Sequence, residues 1–254
     1  STGAPKGVVN TQRMLCANQQ MIAQLWPFLG DRPPVTVDWL PWSHTFGGNH
    51  NLNMILWHGG TLYVDGGKPT PNGIQATVAN LREVSPTIYF NVPRGFDMLL
   101  PALEGDASLR ARFFAELDLV FYAAAALPDP LWRRLEAVSL LARGTKVAMT
   151  SAWGSTETSP LVTQVHFPID RAGVIGLPAP GVSLKLAPIG ERYELRVRGP
   201  NVTPGFWAPG GAVRAVALDD EGYRPRGDAG KRADEREPAR GVVFDGRIAE
   251  NFKL

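Results

Sequence analysis

The chain has little of several features that would assign it quickly to a class. Cys16 is the only cysteine among 254 residues, which excludes an intrachain disulfide and a cysteine-based zinc site. The 26 basic and 24 acidic residues leave a net charge of +2, so no strong field is expected to attract nucleic acid or an anionic membrane. No apolar run reaches the roughly 18 residues of a membrane-spanning helix. A single cysteine also favours a reducing, cytoplasmic setting.

Strand-like and helical segments alternate over roughly the first 165 residues. The predicted strands are residues 35–40, 61–64, 87–90, 117–123 and 146–151, and the predicted helices are residues 14–25, 51–57, 71–83, 93–103 and 128–141. After Gly173, glycine and proline recur and short alternating runs appear at 183–186 and 193–197. The sequence therefore predicts an α/β fold, with a layered α/β part followed by a small β-rich part resembling a distorted barrel.

The first seven residues, STGAPKG, combine small hydroxyl and glycine residues with a lysine. Successive backbone N–H groups of such a turn point into one concavity, where the hydroxyls of Ser1 and Thr2 and the ammonium of Lys6 add donors for a polyphosphate. The stretch is not a Walker motif, and a plain surface turn remains an alternative. Because chain termini usually fray, we expect this chain to be an internal piece of a longer enzyme.

A second chemistry-bearing motif, WGSTE at residues 153–157, follows the predicted strand that ends near Ser151. It offers an aromatic ring for a base, a glycine for close approach, hydroxyls for phosphate and a carboxylate for Mg²⁺. The alternative is a strand-to-helix connection in which Ser155 or Thr156 caps the helix and Trp153 packs in the core.

Five segments in one order resemble the motifs of the adenylate-forming superfamily of acyl-CoA synthetases, luciferases and peptide-synthetase adenylation domains. They are residues 1–7, 153–157, 193–207, 223–228 and 246–253. The resemblance implies three parts: residues 1–168 as the α/β part of an AMP-binding domain, 169–245 as a β-rich subdomain, and 246–254 as a hinge to a further C-terminal domain. It also implies that the chain is truncated at both ends.

The resemblance further implies a set of ligand roles. Ser1, Thr2, Gly3 and Lys6 would bind the β- and γ-phosphates of ATP. Thr156 would bond the α-phosphate, while Glu157 would hold Mg²⁺ and form the catalytic set with Thr156, Lys6 and His44. Trp153, Gly154 and Ala124 would lie beside adenine, Asp228 would bind the ribose hydroxyls, and Arg247 would approach the ribose or a phosphate.

Alanines at 123–126 replace the family's glycines beside adenine, which narrows the space, and an ordinary buried strand end is the alternative for Ala123. His44 matches a family histidine of the acyl pocket, with Trp42 and Phe46 as aromatic candidates. A packed, hydrogen-bonded histidine is the alternative. Arg226 stands near the place of a family threonine, and Ala249 near that of the hinge pivot.

Within the superfamily, residues 10–21 and 244–254 are most similar to bacterial feruloyl-CoA synthases. The implied reaction activates a hydroxycinnamate such as ferulate with ATP and transfers it to coenzyme A, with Mg²⁺ as cofactor and no nucleic-acid or membrane partner. Other aromatic or fatty acids, a carrier-protein acceptor and a nucleotide-binding remnant without turnover remain alternatives.

Overall fold

The computed structural model describes residues 6–248, so the predictions for Ser1, Thr2, Gly3 and Ala249 lie outside the described residues. The strands are β1 (Gly7–Val8), β2 (Val35–Asp38), β3 (Thr61–Val64), β4 (Ile88–Asn91), β5 (Leu119–Tyr122), β6 (Ala148–Gly154), β7 (Leu161–Gln164), β8 (Val174–Pro178), β9 (Ser183–Ile189), β10 (Arg192–Arg198), β11 (Gly205–Trp207), β12 (Val213–Ala215), β13 (Arg224–Arg232) and β14 (Val242–Arg247). The α-helices are α1 (Gln12–Leu25), α2 (Phe28–Asp31), α3 (Asn53–His58), α4 (Ile74–Glu83), α5 (Pro93–Gly105), α6 (Ala107–Phe114) and α7 (Asp129–Arg143).

One mixed sheet organises most of these elements. Its nine strands run in the order β4-β5-β6-β7-β8-β14-β13-β10-β9. The β4, β5 and β6 strands are parallel, whereas β7 and the strands beyond it pair antiparallel. Two smaller sheets contain the parallel pair β2-β3 and the antiparallel set β1-β11-β12. The predicted α/β fold class is confirmed, and the β-rich stretch continues the ladder of the large sheet.

The parallel strands at the centre of the fold are apolar on both faces because helices cover both sides. Tyr89, Val120 and Tyr122 face a core formed with α4, α5, α6 and α7. Phe90 and Phe121, at alternate positions, face a second core formed with α1, α3 and the segment between β2 and α3. The alternation of side chains along a strand therefore places the phenylalanines of β4 and β5 beneath the α1 side of the sheet.

Helix α1 begins at Gln12, two residues before its predicted start. The Oγ1 atom of Thr11 accepts a hydrogen bond from the backbone N–H of Met14 at 3.3 Å, which caps the helix. Met14, Met21 and Ile22 form its buried stripe. Among the helices within residues 6–248, none is long and apolar enough to cross a membrane.

Several elements differ from the sequence prediction. A π-helix (Phe46–Leu52) precedes α3, where the sequence predicts a helix only from residue 51. Helix α6 (Ala107–Phe114), which the sequence analysis does not assign, begins at a cap in which Asp106 accepts from the N–H groups of Ser108 and Leu109. Strand β6 continues three residues past its predicted end because residues 152–154 pair with β7.

Candidate functional site

The WGSTE motif forms a sharp turn at the end of β6. A Cβ atom on Gly154 would lie 1.7 Å from the carbonyl oxygen of Pro160, so only glycine fits there. Ser155 Oγ accepts from the backbone N–H of Glu157 at 3.2 Å and thereby caps a 3₁₀ turn at Thr156–Thr158. Trp153 and Gly154 belong to β6 itself, which corrects the expectation that the whole motif follows the strand.

Glu157 is surrounded by donors of hydrogen bonds and positive charge. Ser155 Oγ donates to Glu157 Oε2 at 2.7 Å. The guanidinium groups of Arg224 and Arg226 lie 3.4 Å and 3.6 Å from its two carboxylate oxygens. Burial favours the neutral acid, but the Ser155 hydrogen bond and the two arginines outweigh it and lower the pKa of Glu157 to about 2. The carboxylate is therefore ionised at neutral pH.

Trp153, Asp228 and Arg247 form one contact group across three strands. The indole N–H of Trp153 donates to Asp228 Oδ2 at 3.2 Å, and Arg247 Nε lies 3.4 Å from Asp228 Oδ1. The pairing of Asp228 with Arg247 between β13 and β14 fixes the ion pair. Burial raises the pKa of Asp228 in spite of the nearby arginines and the indole. The predicted base-stacking and ribose-binding residues thus lie in direct contact.

The sequence-predicted residues line two adjoining clefts. Asp228 lines the first cleft, and His44, Thr156 and Glu157 line the second. The residues common to both clefts are Ala123, Ala124, Ala152, Trp153, Gly154 and Arg247. The two clefts therefore adjoin at these six residues, which form a shared wall.

Ala124 stands on that shared wall in a backbone conformation that favours glycine. Its φ angle is 72°, in the left-handed region that an L-residue adopts only with strain. Ala124 is exposed, so no close packing of its methyl group enforces the conformation. In the turn between β5 and α7, Ala124 therefore has the positive φ angle that glycine adopts without strain.

Lys6 lies outside the two clefts, but the residues that follow it contact the WGSTE motif. The Lys6 ammonium lies 5.9 Å from the ring centre of Phe206, and Lys6 lines neither cleft. Strand β1 pairs with β11, which carries Phe206. Asn10 Nδ2 donates to the carbonyl oxygen of Thr156 at 2.9 Å. The residues that follow the predicted phosphate loop are thus anchored to the second motif.

The predicted acyl-pocket residues divide into two groups. His44 and Phe46 line the second cleft, where His44 Nδ1 accepts from the backbone N–H of Phe46 at 3.2 Å. Trp42 is 54% exposed and lines neither cleft, so the structure does not place it in the predicted pocket.

A buried polar chain behind this cleft has no counterpart in the sequence analysis. Asn51 Nδ2 donates to Asp38 Oδ2 at 2.6 Å, and His50 Nδ1 lies 2.9 Å from Asn51 Oδ1. His50 lines the second cleft. Burial lowers the pKa of His50 to about 4 and raises the pKa of Asp38 to about 6. From the sequence, the spacing of the histidines shows only that His50 is not part of a metal-ligand motif. Its contact with Asp38 through Asn51 cannot be read from that spacing.

Glu157 offers one carboxylate to a magnesium ion held jointly with phosphates, although hydrogen-bond donors and cations surround it. Within residues 6–248, no three His, Cys, Asp or Glu side chains group into a metal site. Mg²⁺ is commonly bound by one or two carboxylates together with substrate phosphates, and Glu157 supplies an ionised carboxylate on a cleft wall. Its oxygens already face Arg224 and Arg226, so the ion would compete with two guanidinium groups.

Comparisons with known proteins place these features in a family context. The long-chain-fatty-acid–CoA ligase of Escherichia coli O6:H1 is 29% identical over 222 residues, which covers 82% of this chain and 36% of that protein. The human mitochondrial malonate–CoA ligase is 28% identical over 227 residues, covering 81% of this chain and 37% of that protein. The chain therefore spans little more than a third of the length of these relatives.

The fold comparison agrees with the sequence comparison. A malonyl-CoA ligase solved as a ternary product complex with methylmalonyl-CoA and AMP bound is 29% identical, with a TM-score of 0.76. The match covers 97% of this chain and 50% of that chain. A family model described as an AMP-binding enzyme matches residues 1–207, which is most of the sequence. This chain belongs to the AMP-binding enzyme family.

Proposed function

We propose that the chain carries the nucleotide and acid sites of an ATP-dependent acid–CoA ligase. In the proposed reaction a carboxylate oxygen of the acid attacks the α-phosphorus of ATP, and the bond to the leaving pyrophosphate breaks. The thiolate of coenzyme A then attacks the acyl carbon and AMP leaves, which yields the thioester. The pair of clefts with a common wall at Ala124, Trp153 and Gly154 carries this proposal, since it would bring an acid and a nucleotide together.

The proposed roles follow from position and charge. Asp228 and Trp153 would bind the nucleoside. The Asp228 carboxylate would accept hydrogen bonds from the ribose hydroxyls, and the Trp153 indole, on the shared wall, would lie beside adenine. Thr156 would donate its hydroxyl to the α-phosphate, and Glu157 would hold Mg²⁺, which supplies neutralising charge when bound. Lys6, together with Ser1, Thr2 and Gly3, would bind the departing phosphates.

We favour an aromatic acid of the hydroxycinnamate class, such as ferulate. The second cleft is lined by Phe46 and Phe121, whose rings are tilted 49° with centroids 5.6 Å apart. Flat aromatic substrates pack well against such side chains. The relatives named above act on long-chain fatty acids and on malonate, so the family match alone selects no acid.

The test is acid-dependent pyrophosphate release by the full-length protein across a panel of hydroxycinnamates, benzoates, fatty acids and dicarboxylates. We expect release with hydroxycinnamates, and Asp228→Ala should weaken ATP binding by about tenfold or more through loss of hydrogen bonds to a charged acceptor. Asp220→Ala, at an exposed loop position, is the matched control. Release with fatty acids or malonate but not hydroxycinnamates would refute the substrate assignment.

A nucleotide-binding module without turnover is the second candidate. The ion pairs of Glu157 with Arg224 and Arg226 favour this candidate, because they oppose the binding of a metal ion to that carboxylate. Titration of ATP and Mg²⁺ with a parallel assay for the acyl-adenylate separates the two candidates. Binding of ATP without adenylate from any acid of the panel supports the module and contradicts the ligase.

A further inference from the structure

His50 is a buried imidazole at the edge of the proposed acid site. Its side chain lines the second cleft and is 1% exposed. The rings of Phe121, Phe90, Phe46 and Trp26 surround it, with centroid distances of 5.2, 5.7, 5.9 and 6.2 Å. A polar ring within an aromatic wall of this kind needs a hydrogen-bond partner on each nitrogen.

The chain of contacts behind the ring fixes which nitrogen carries the proton. Asp38 accepts from Asn51 Nδ2, so the oxygen of that amide, Oδ1, faces His50 Nδ1. An amide oxygen only accepts, and Nδ1 must therefore be the protonated nitrogen of the ring. With the ring neutral, Nε2 carries a free lone pair and is an acceptor.

That acceptor is unsatisfied within the described part of the chain. His50 Nε2 is buried and has no hydrogen-bond partner among residues 6–248. A buried unpaired acceptor is unfavourable, so a partner is expected from outside the protein. A water at Nε2 would need two or more polar partners; the phenyl rings of Phe46, Phe90 and Phe121 offer it none, and the remaining aromatic neighbour of the imidazole is the indole of Trp26. A hydrogen-bond donor on a ligand in the second cleft, which His50 lines among aromatic side chains, would satisfy it.

We propose that His50 Nε2 accepts a hydrogen bond from a hydroxyl group on the aromatic ring of the bound acid, and thereby makes the site selective for phenolic acids. This inference rests on the proposed acid-activating function. In this proposal the hydrogen bonds from Asn51 to Asp38 and from His50 to Asn51 hold the imidazole with Nε2 as an acceptor for the substrate. A methoxy group or a hydrogen at the same place leaves Nε2 without a donor, and that acid binds less well.

The experiment compares 4-hydroxycinnamate, 4-methoxycinnamate and cinnamate as substrates of the full-length protein. For the wild type we expect kcat/KM for pyrophosphate release to be at least tenfold higher with the hydroxy acid, which equals about 1.4 kcal/mol. In His50→Leu this preference should fall to about unity while cinnamate still reacts. His166→Leu, at an exposed histidine, is the matched control and should keep the preference.

A measurement on the wild type covers the case in which His50→Leu fails to fold. In protein with ¹⁵N-labelled histidine, the unprotonated Nε2 resonance of His50 should move upfield when the hydroxy acid binds and stay in place with cinnamate. A protonated Nε2 in the free protein, or equal shifts with both acids, overturns the proposal.

The outcomes also separate this inference from the proposed function. Equal kcat/KM for hydroxy and unsubstituted acids, with pyrophosphate release intact, refutes the role of His50 alone. No acid-dependent pyrophosphate release with any acid refutes the ligase activity itself.

Discussion

The left-handed backbone of Ala124 allows a test of the shared cleft wall that requires no ligand. An L-residue in that region is strained by about 1–2 kcal/mol, whereas glycine is not. Ala124 is exposed, so removing its methyl group loses little packing. Glycine also raises the entropy of the unfolded chain, which costs about 0.4–1 kcal/mol. We therefore expect Ala124→Gly to raise the free energy of unfolding by about 0.5–1 kcal/mol.

The assay is urea unfolding followed by near-UV circular dichroism, together with the thermal midpoint. For a chain of this size the gain corresponds to a rise of roughly 1–4 °C. Ala125→Gly is the matched control, since Ala125 is an exposed residue of the same turn whose φ is not positive. In that control no strain is relieved, and the greater entropy of the unfolded chain should destabilise the protein by about 0.4–1 kcal/mol. Equal destabilisation of both variants would refute the strain argument.

Two further predictions concern Glu157. The pKa of Glu157 is about 2 in the folded protein, below the ordinary value of 4.5. The ionised carboxylate therefore adds about 3 kcal/mol to the free energy of unfolding above pH 4.5. This contribution is lost as the pH falls towards 2. The difference in unfolding free energy between wild type and Glu157→Gln should shrink over that range in urea titrations, and a constant difference would contradict this. Arg226→Thr removes a cation 3.6 Å from the carboxylate and should lower the Mg²⁺ concentration needed for half-maximal ATP binding by about tenfold, measured calorimetrically. Arg240→Thr, an exposed ion-pair residue, should leave it unchanged, and an unchanged or higher Mg²⁺ requirement in Arg226→Thr would refute the competition.

Local signals in the sequence were sufficient for most of the α/β part. The apolar stripe of α1 and the short apolar runs of β4 and β5 predict elements that the structure contains within a few residues. Helix α6 also had a local signal, because Asp106 precedes Leu109 and Phe113 at helical spacing. The end of β6 had none, since residues 152–154 become a strand only by pairing with β7.

The candidate site was predictable as a set of residues rather than as a set of contacts. Motif order brought together His44, Thr156 and Asp228, which line the adjoining clefts. Motifs do not reveal partners, however, because a hydrogen bond such as Asn51 to Asp38 joins residues whose spacing follows no helical or strand period. The spacing of the histidines therefore shows only that His50 is not part of a metal-ligand motif, whereas its contacts make it a neutral acceptor.

Glu157 lies in a region of net positive charge. Two guanidinium groups beside one carboxylate leave a net positive charge next to Thr156, and Phe206 nearby is approached by Lys6 and Arg224 within 6 Å. Without Glu157, the two arginines would repel each other in a partly buried space. A polyphosphate entering this region would satisfy the arginines, and the carboxylate would then be available to a metal ion that the same phosphates bring. Under the proposed function, binding of ATP and binding of Mg²⁺ at Glu157 are therefore cooperative, because each removes the charge that opposes the other.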